Sequence, residues 1–226
     1  RKEISLYSNP INMLTIKIFQ CNALQENCYV VSDETRACVI IDCGARTADE
    51  YRVISDYIRQ QQLRPQHLIA THGHVDHNYG NGYVYAEFGL TPEVHERDLP
   101  LMATLHEQSA QFIGLDVLAP VPPVQTRLKE GDKIDFGTHQ LTVIETPGHT
   151  PGGIVLYDAA EHVAFSGDTL FRSSIGRTDL PGGSMLEMMQ SLRMICQLPD
   201  ETKVFPGHGA ATTIGEELMH NPYLDR

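Results

Sequence analysis

No apolar run in the chain approaches the roughly 18 residues that a membrane-spanning helix needs, so no helical membrane anchor is expected. The first dozen residues, RKEISLYSNPIN, lack the apolar segment of a secretory signal. They are expected to form a loosely ordered leader, residues 1–12, ahead of one domain over 13–226. C-x-x-C pairs are missing too, and the five cysteines are odd in number. A disulfide framework is therefore not expected; the cysteines read as small buried hydrophobes, and a reducing cytoplasm is the simplest setting. There is no low-complexity tract. With 41% apolar and 20% charged residues, the 226-residue chain has a globular composition and can bury a sizeable core. Cations are scarce: 17 Lys and Arg stand against 29 Asp and Glu, a net charge of −12. That balance argues against nucleic acid or an anionic membrane as partner, because phosphates attract Lys and Arg.

What is present is a succession of short strand-like runs interleaved with helical patterns. LTIKIF (14–19), NCYVVS (27–32) and ACVIID (37–42) are rich in β-branched residues and separated by turn residues. The segment 47–63 carries Tyr51, Ile54, Tyr57 and Ile58 at helical spacing, with Asp49 and Glu50 in its first turn and Pro65 as its stop. HLIAT (67–71) is a strand, and a helix is expected from about Asp76 to Phe88. Residues 99–118 read as helical, and APVPPV (119–124) as a connector. Strands follow at 133–136, 139–146, 153–158 and 162–167, and KVFPGHG (203–209) reads as a last strand and loop. Helices are expected at 184–198, with Leu186, Met189, Leu192, Ile195 and Cys196 as the core-facing stripe, and at 212–221. VIIDCGA (39–45) and VAFSGDT (163–169) look like corresponding strand ends in two halves, a faint sign of internal duplication. Two sheets face to face with helices outside suit this order.

The chemistry concentrates in THGHVDH (71–77). His72, His74, Asp76 and His77 fall where the chain leaves a strand. His72 and His74, two residues apart, share one side of an extended segment. Asp76 and His77 would begin a helix, whose dipole favours a carboxylate and disfavours a protonated imidazole; both suit metal ligands. Singly, each is better read as a cap or a polar loop residue. As a set of four that reading fails, because crowded imidazoles repel when charged and lack donors when dry. Partners lie downstream, each beside a glycine: His149 in ETPGHTPGG, Asp168 in FSGDTLF and His208 in FPGHG. Five histidines and two aspartates suffice for two ions if one aspartate bridges. Such N and O donors suit zinc, and also iron or manganese.

T-H-x-H-x-D-H followed by a lone His, an Asp and a final His resembles the metallo-β-lactamase superfamily over nearly the whole chain, from about Leu14 to Asn221. The resemblance implies a four-layer αββα sandwich. It implies that His72, His74 and His149 hold a first metal ion, that Asp76, His77 and His208 hold a second, and that Asp168 bridges them. THGHVDHNYGN, LFRSSIGRTDLPGG and FPGHGAATTIGEELMHNPYL are similar to short glyoxalase II-like hydrolases. The histidine at 77 and aspartate at 168 separate the chain from zinc β-lactamases with Arg or Cys there. The C-terminal helical domain that longer glyoxalase II enzymes use to hold glutathione carboxylates has no counterpart before Arg226.

The implied activity is hydrolysis of a thioester, with S-lactoylglutathione the leading substrate. Two ions about 3.5–4 Å apart lower the pKa of a shared water toward 7, and the resulting hydroxide attacks the carbonyl carbon. Asp76 and Asp168 are the expected catalytic carboxylates. Arg172 and Arg177, in the loop after Asp168, are candidates to bind a substrate carboxylate; the competing reading pairs Arg177 with Asp179. A mononuclear iron persulfide dioxygenase of the same fold is the alternative, followed by lactone or other ester hydrolysis.

Overall fold

The structure, a computed structural model, describes residues 6–9, 12–114 and 119–224. Two mixed sheets form. The first has seven strands in sequence order: β1 (Leu6–Asn9), β2 (Asn12–Cys21), β3 (Glu26–Ser32), β4 (Ala37–Ile41), β5 (Arg64–Ile69), β6 (Pro92–His95) and β7 (Thr126–Leu128). β1 to β4 are antiparallel, and β5 to β7 add in parallel. Helix α1 (Ala48–Gln60) links β4 to β5, α2 (Asn81–Phe88) links β5 to β6, and α3 (Leu99–Met102) and α4 (Leu105–Ile113) precede β7.

The second sheet contains β8 (Lys133–Phe136), β9 (His139–Glu145), β10 (Ile154–Asp158) and β11 (Val163–Gly167) as an antiparallel meander. A two-stranded ribbon, β12 (Leu170–Phe171) and β13 (Ser174–Ile175), follows. Helix α5 (Met185–Ile195) then leads to β14 (Lys203–Pro206), parallel to β11, with β15 (Thr212–Thr213) and α6 (Ile214–His220) at the edge.

Alternation along the strands decides the layers. Tyr29, Val31, Val39 and Ile41 of the first sheet meet Leu141, Val143, Leu156 and Phe165 of the second in one core. The residues between them turn outward: Cys28, Val30, Cys38 and Ile40 pack under Tyr51, Ile54 and Ile58 of α1. On the far side Val155 and Ala164 pack under Met188, Leu192 and Ile195 of α5. The architecture is the four-layer αββα sandwich. β3, β4 and β11 are buried along their whole length, as strands covered on both faces are.

Both sheets share one plan. An antiparallel meander ends in β4 or β11, a helix crosses over, and a parallel strand, β5 or β14, delivers a histidine loop. VIIDCGA and VAFSGDT are indeed the ends of these two meanders. Both turn through a positive φ at the strand end, at Asp42 (53°) just past β4 and at Gly167 (48°), the last residue of β11.

Several local expectations are corrected. Of the leader, residues 1–5, 10 and 11 lie outside the described residues, while Leu6–Asn9 pair with β2. The segment 99–118 divides into α3 and α4, with 115–118 outside the described residues. The first helix stops at Gln60 through a left-handed Gln62 rather than at Pro65, which lies in β5. On α5 the buried stripe is Met188, Leu192 and Ile195, at i, i+4 and i+7, whereas Leu186 is 72% exposed. The helix expected from Asp76 begins only at Asn81; Val75–His77 form a 3₁₀ turn. Its cause is Asn78, whose Nδ2 donates back to the carbonyls of His72 (3.1 Å) and His74 (2.7 Å) and folds the chain over itself. Asp76 and His77 therefore stand in a 3₁₀ turn ahead of the helix and not in its first turn.

Candidate metal centre

Four loops at one end of the sandwich bring together all seven of His72, His74, Asp76, His77, His149, Asp168 and His208. His72, His74 and His149 form one triad of nitrogens, and Asp76, His77 and His208 form another group. His74 Nδ1 lies 2.8 Å from His149 Nε2, and His77 Nε2 lies 3.3 Å from His208 Nε2. Asp168 stands between them: Oδ1 is 3.4 Å from His77 Nε2, and Oδ2 is 3.5 Å from His149 Nε2 and 3.7 Å from His208 Nε2. Asp76 Oδ2 is 3.3 Å from His208 Nε2 and 3.7 Å from His77 Nε2.

The ring tautomers follow from what stands behind each histidine. Asp42, at the end of β4, accepts from Thr71 N (2.7 Å) and Thr71 Oγ1 (2.7 Å) and from His77 Nδ1 (3.0 Å). The Thr71 hydroxyl proton is thereby spent, so its oxygen accepts from His72 Nδ1 (3.1 Å). His149 Nδ1 donates to Arg177 O (2.8 Å), and His208 Nδ1 to Leu24 O (3.1 Å). Four Nε2 lone pairs thus face inward, joined by Nδ1 of His74. Ring nitrogens 2.8–3.3 Å apart are a donor set for a cation, which would displace any proton held there. His72 Nε2 and Asp168 Oδ1 are buried without a hydrogen-bond partner among the described residues, which a cation would cure. All seven donors are N or O, the set that suits zinc, iron or manganese.

Charge within the cage is divided. Burial and the neighbouring His77 and His149 rings drive the His72 pKa well below its ordinary value, and burial with His149 lowers His74 to about 4. Burial also works against protonation of His77, but Asp168, Asp76 and Asp42 outweigh it and hold that pKa well up. Burial would raise Asp168; His77, His149 and His208 overcome it and keep the carboxylate well below its usual range.

Glycines let the loops close. A Cβ on Gly207 would lie 2.3 Å from Asp168 Oδ1 and 2.6 Å from His77 Cε1. Gly148, at φ 142°, lets the His149 loop lie on the backbone of Met188.

Several residues that hold the cage carry no motif. Asp98 is fully buried and accepts from Gly73 N (2.8 Å), Thr150 Oγ1 (2.7 Å) and Gly152 N (2.6 Å), tying the His72–His77 loop to the His149 loop. Asn27 Nδ2 donates to Pro206 O and Gly209 O around His208, and Asn22 Nδ2 to Asp76 O. Glu26 is fully buried 3.9 Å from His77 Nδ1, with neither carboxyl oxygen partnered among the described residues; burial raises its pKa strongly. Asp42 alone had a signal, a carboxylate straight after the apolar run VII.

The two arginine candidates fare differently. Arg177 is exposed and grips Asp179 through Nε and Nη2, both at 2.7 Å, so its backbone rather than its side chain serves the cage. Arg172 lines a shallow groove with Lys203, Thr213 and Glu216, which none of the seven cage residues lines. Of the histidines outside the motif, His95 pairs with Glu145 and His139 with Asp158.

Residues 21–208 match the family model described as the metallo-beta-lactamase superfamily. The chain is 33% identical to the hydroxyacylglutathione hydrolase GloC of Haemophilus influenzae over 94% of this chain and 99% of that one. Its fold is similar to the B3 metallo-beta-lactamase BLEG-1, at a TM-score of 0.85 and 33% identity, with 92% and 99% of the two chains covered. It is also similar to TTHA1623 in a di-iron-bound form, at a TM-score of 0.81 and 37% identity, with 91% and 98% covered.

Proposed function

Since the chain belongs to the metallo-β-lactamase superfamily, a superfamily of metal-dependent hydrolases, we propose that it hydrolyses a thioester, S-lactoylglutathione or a related acyl thioester, with two divalent ions, zinc first, held by the seven-residue cage. The observation that carries this reading is the position of Asp168. Its carboxylate lies within 3.7 Å of His149 from the first triad and of His77 and His208 from the second group, so it stands where a ligand shared by two ions would have to be. The likeness to GloC supports the thioester; the di-iron form of TTHA1623 keeps iron as the second choice of metal.

Two ions in such a cage supply Lewis acidity for a carbonyl oxygen and make water acidic enough to react near neutral pH. The chain's own residues do the rest. His72, His77, His149 and His208 are locked in one tautomer each, so no ring must turn during turnover. Asp76, beside His208 and His77, is placed to accept a proton from the attacking water and to orient it. A thiolate is a good leaving group, so no separate general acid is required.

The test is thioester cleavage by protein reconstituted with Zn, Fe or Mn, in wild type and Asp168→Ala. Loss of about a hundredfold or more in kcat with the variant is expected, together with loss of half the bound metal. Full activity in Asp168→Ala would sink the reading. One iron per chain, with sulfite formed from a glutathione persulfide, would replace it with an oxygenase.

A further inference from the structure

A cavity of about 170 Å³ opens against the cage. Its walls are Asn22, Ala23 and Leu24 from the β2–β3 turn, Val75, Asp76 and Tyr79 from the histidine loop, and Arg46 ahead of α1. Asp76 belongs to both, so whatever fills this space lies directly beside the carboxylate that faces His77 and His208. Ala23, Leu24, Val75 and the Tyr79 ring make most of the wall apolar; beside them stand Asp76, one cation, and Asn22, whose amide is engaged with Gly44 O, Asp76 O and Leu24 N. The Tyr79 hydroxyl is already engaged with Ser109.

Arg46 differs from the other arginines near a carboxylate. Arg52, Arg59, Arg97 and Arg177 pair with Asp49, Glu87, Glu187 and Asp179. Among the described residues no ion pair engages the Arg46 guanidinium; only its backbone N is used, donating to Glu50 Oε2 at 2.8 Å. In a chain of net charge −12, a half-buried guanidinium that no carboxylate engages among the described residues, beside a largely apolar cavity, is available to pair with an anion from outside.

We propose that this cavity receives an aliphatic arm of the substrate ending in a carboxylate, and that Arg46 is the specificity-determining residue that binds it. The inference rests on the thioesterase reading of the adjoining cage. It assigns the role expected of Arg172 and Arg177 to a different arginine. The apolar walls take the methylene groups, and the guanidinium takes the carboxylate through a bidentate pair. The carboxylate can belong to the acyl part or to the thiol part of the thioester.

Two substrate pairs separate these sources. S-succinyl-N-acetylcysteamine and its methyl ester place the charge on the acyl side; S-acetyl-3-mercaptopropionate and its methyl ester place it on the thiol side. In Arg46→Leu, the ratio of kcat/KM for the acid to that for its ester should fall about tenfold to a hundredfold in one pair, mainly through KM. Arg46→Lys should restore part of it. Metal content and melting temperature, measured on each variant, show that the cage is intact, since the Arg46 backbone contact survives both changes. An unchanged ratio in both pairs overturns the proposal while leaving the thioesterase standing. Should no thioester be cleaved at all, binding of glutarate and monomethyl glutarate to wild type and Arg46→Leu, followed by titration calorimetry, decides the cavity alone. Arg46-dependent preference for the diacid upholds it, and equal binding overturns it.

Discussion

Gly207 sits between Asp168 and His77, and its missing side chain is what lets β14 bring His208 up to them. Any Cβ there meets Asp168 Oδ1 at 2.3 Å and His77 Cε1 at 2.6 Å. His77 is held from behind by Asp42, and the Gly207 backbone donates to Gly167 O and accepts from Asn27 N, so the displacement would fall on the Asp168 carboxylate. Gly207→Ala should therefore fold and yet bind metal at least tenfold more weakly, as read by competition with a chromophoric chelator. Wild-type affinity in that variant would show that the cage tolerates expansion. At this scale the sequence was most legible. The seven ligand types stand next to glycines and in short motifs, because a metal needs particular atoms and the backbone must bend sharply to present them. The residues behind them were hidden, since Asp98, Asn22 and Asn27 act through backbone amides and carbonyls far away in sequence, and any polar side chain of the right length would read the same.

Whole elements depend on single buried carboxylates. The 3₁₀ turn Glu96–Asp98, after β6, exists to place Asp98 against two loops that share no strand. Asp98→Asn keeps the shape but offers one acceptor oxygen where two are used, leaving Gly152 N or the Gly73 and Thr150 donors unpaired in a dry site. A cost of about 2–3 kcal/mol in unfolding free energy is expected, with a tenfold to hundredfold loss of metal affinity because His74 and His149 are no longer held in register. Urea denaturation and metal competition measure both; a stability loss with unchanged affinity would show that Asp98 supports the fold only. Element boundaries explain why sequence reading slipped nearby. β6 and β7 have four and three residues, too short for alternation to register, and β6 opens on Pro92. The turn at Val75–His77 mimics the start of a helix until Asn78 folds back, a side-chain event that hydrophobic period does not report. On α5 the Met-rich stripe offered two neighbouring faces, and only contact with Val155 and Ala164 chooses Met188 over Leu186.

At the scale of the molecule, the two halves that the matching strand ends suggested are two sheets pressed together by their alternate residues, so the sandwich was legible wherever strands were long enough to show both faces. What joins the halves at the rim was not. His67 on β5 places Nδ1 2.6 Å from Glu93 Oε1 on β6 and Nε2 3.1 Å from Asp135 O on β8 of the other sheet. Both nitrogens face acceptors, so only the imidazolium can donate to both. The hydrogen bond to Glu93 raises the His67 pKa against the opposing pull of burial. A folded-state pKa above the unfolded value near 6.5 means that the native state holds this proton more tightly. Its contribution to stability is then complete below pH 6.5 and disappears as pH climbs through the raised folded value. His67→Gln, which can bond one partner but never carries charge, should therefore cost more at pH 5.5 than at pH 8.5. The difference should be about 0.5–1 kcal/mol, kept small because the side chain is 26% exposed. Urea midpoints of wild type and variant at the two pH values, under one metal condition, give the double difference in which the pH response of the cage cancels. An equal penalty at both pH values, or a larger one at pH 8.5, would mean that the neutral ring is the form that bridges the sheets.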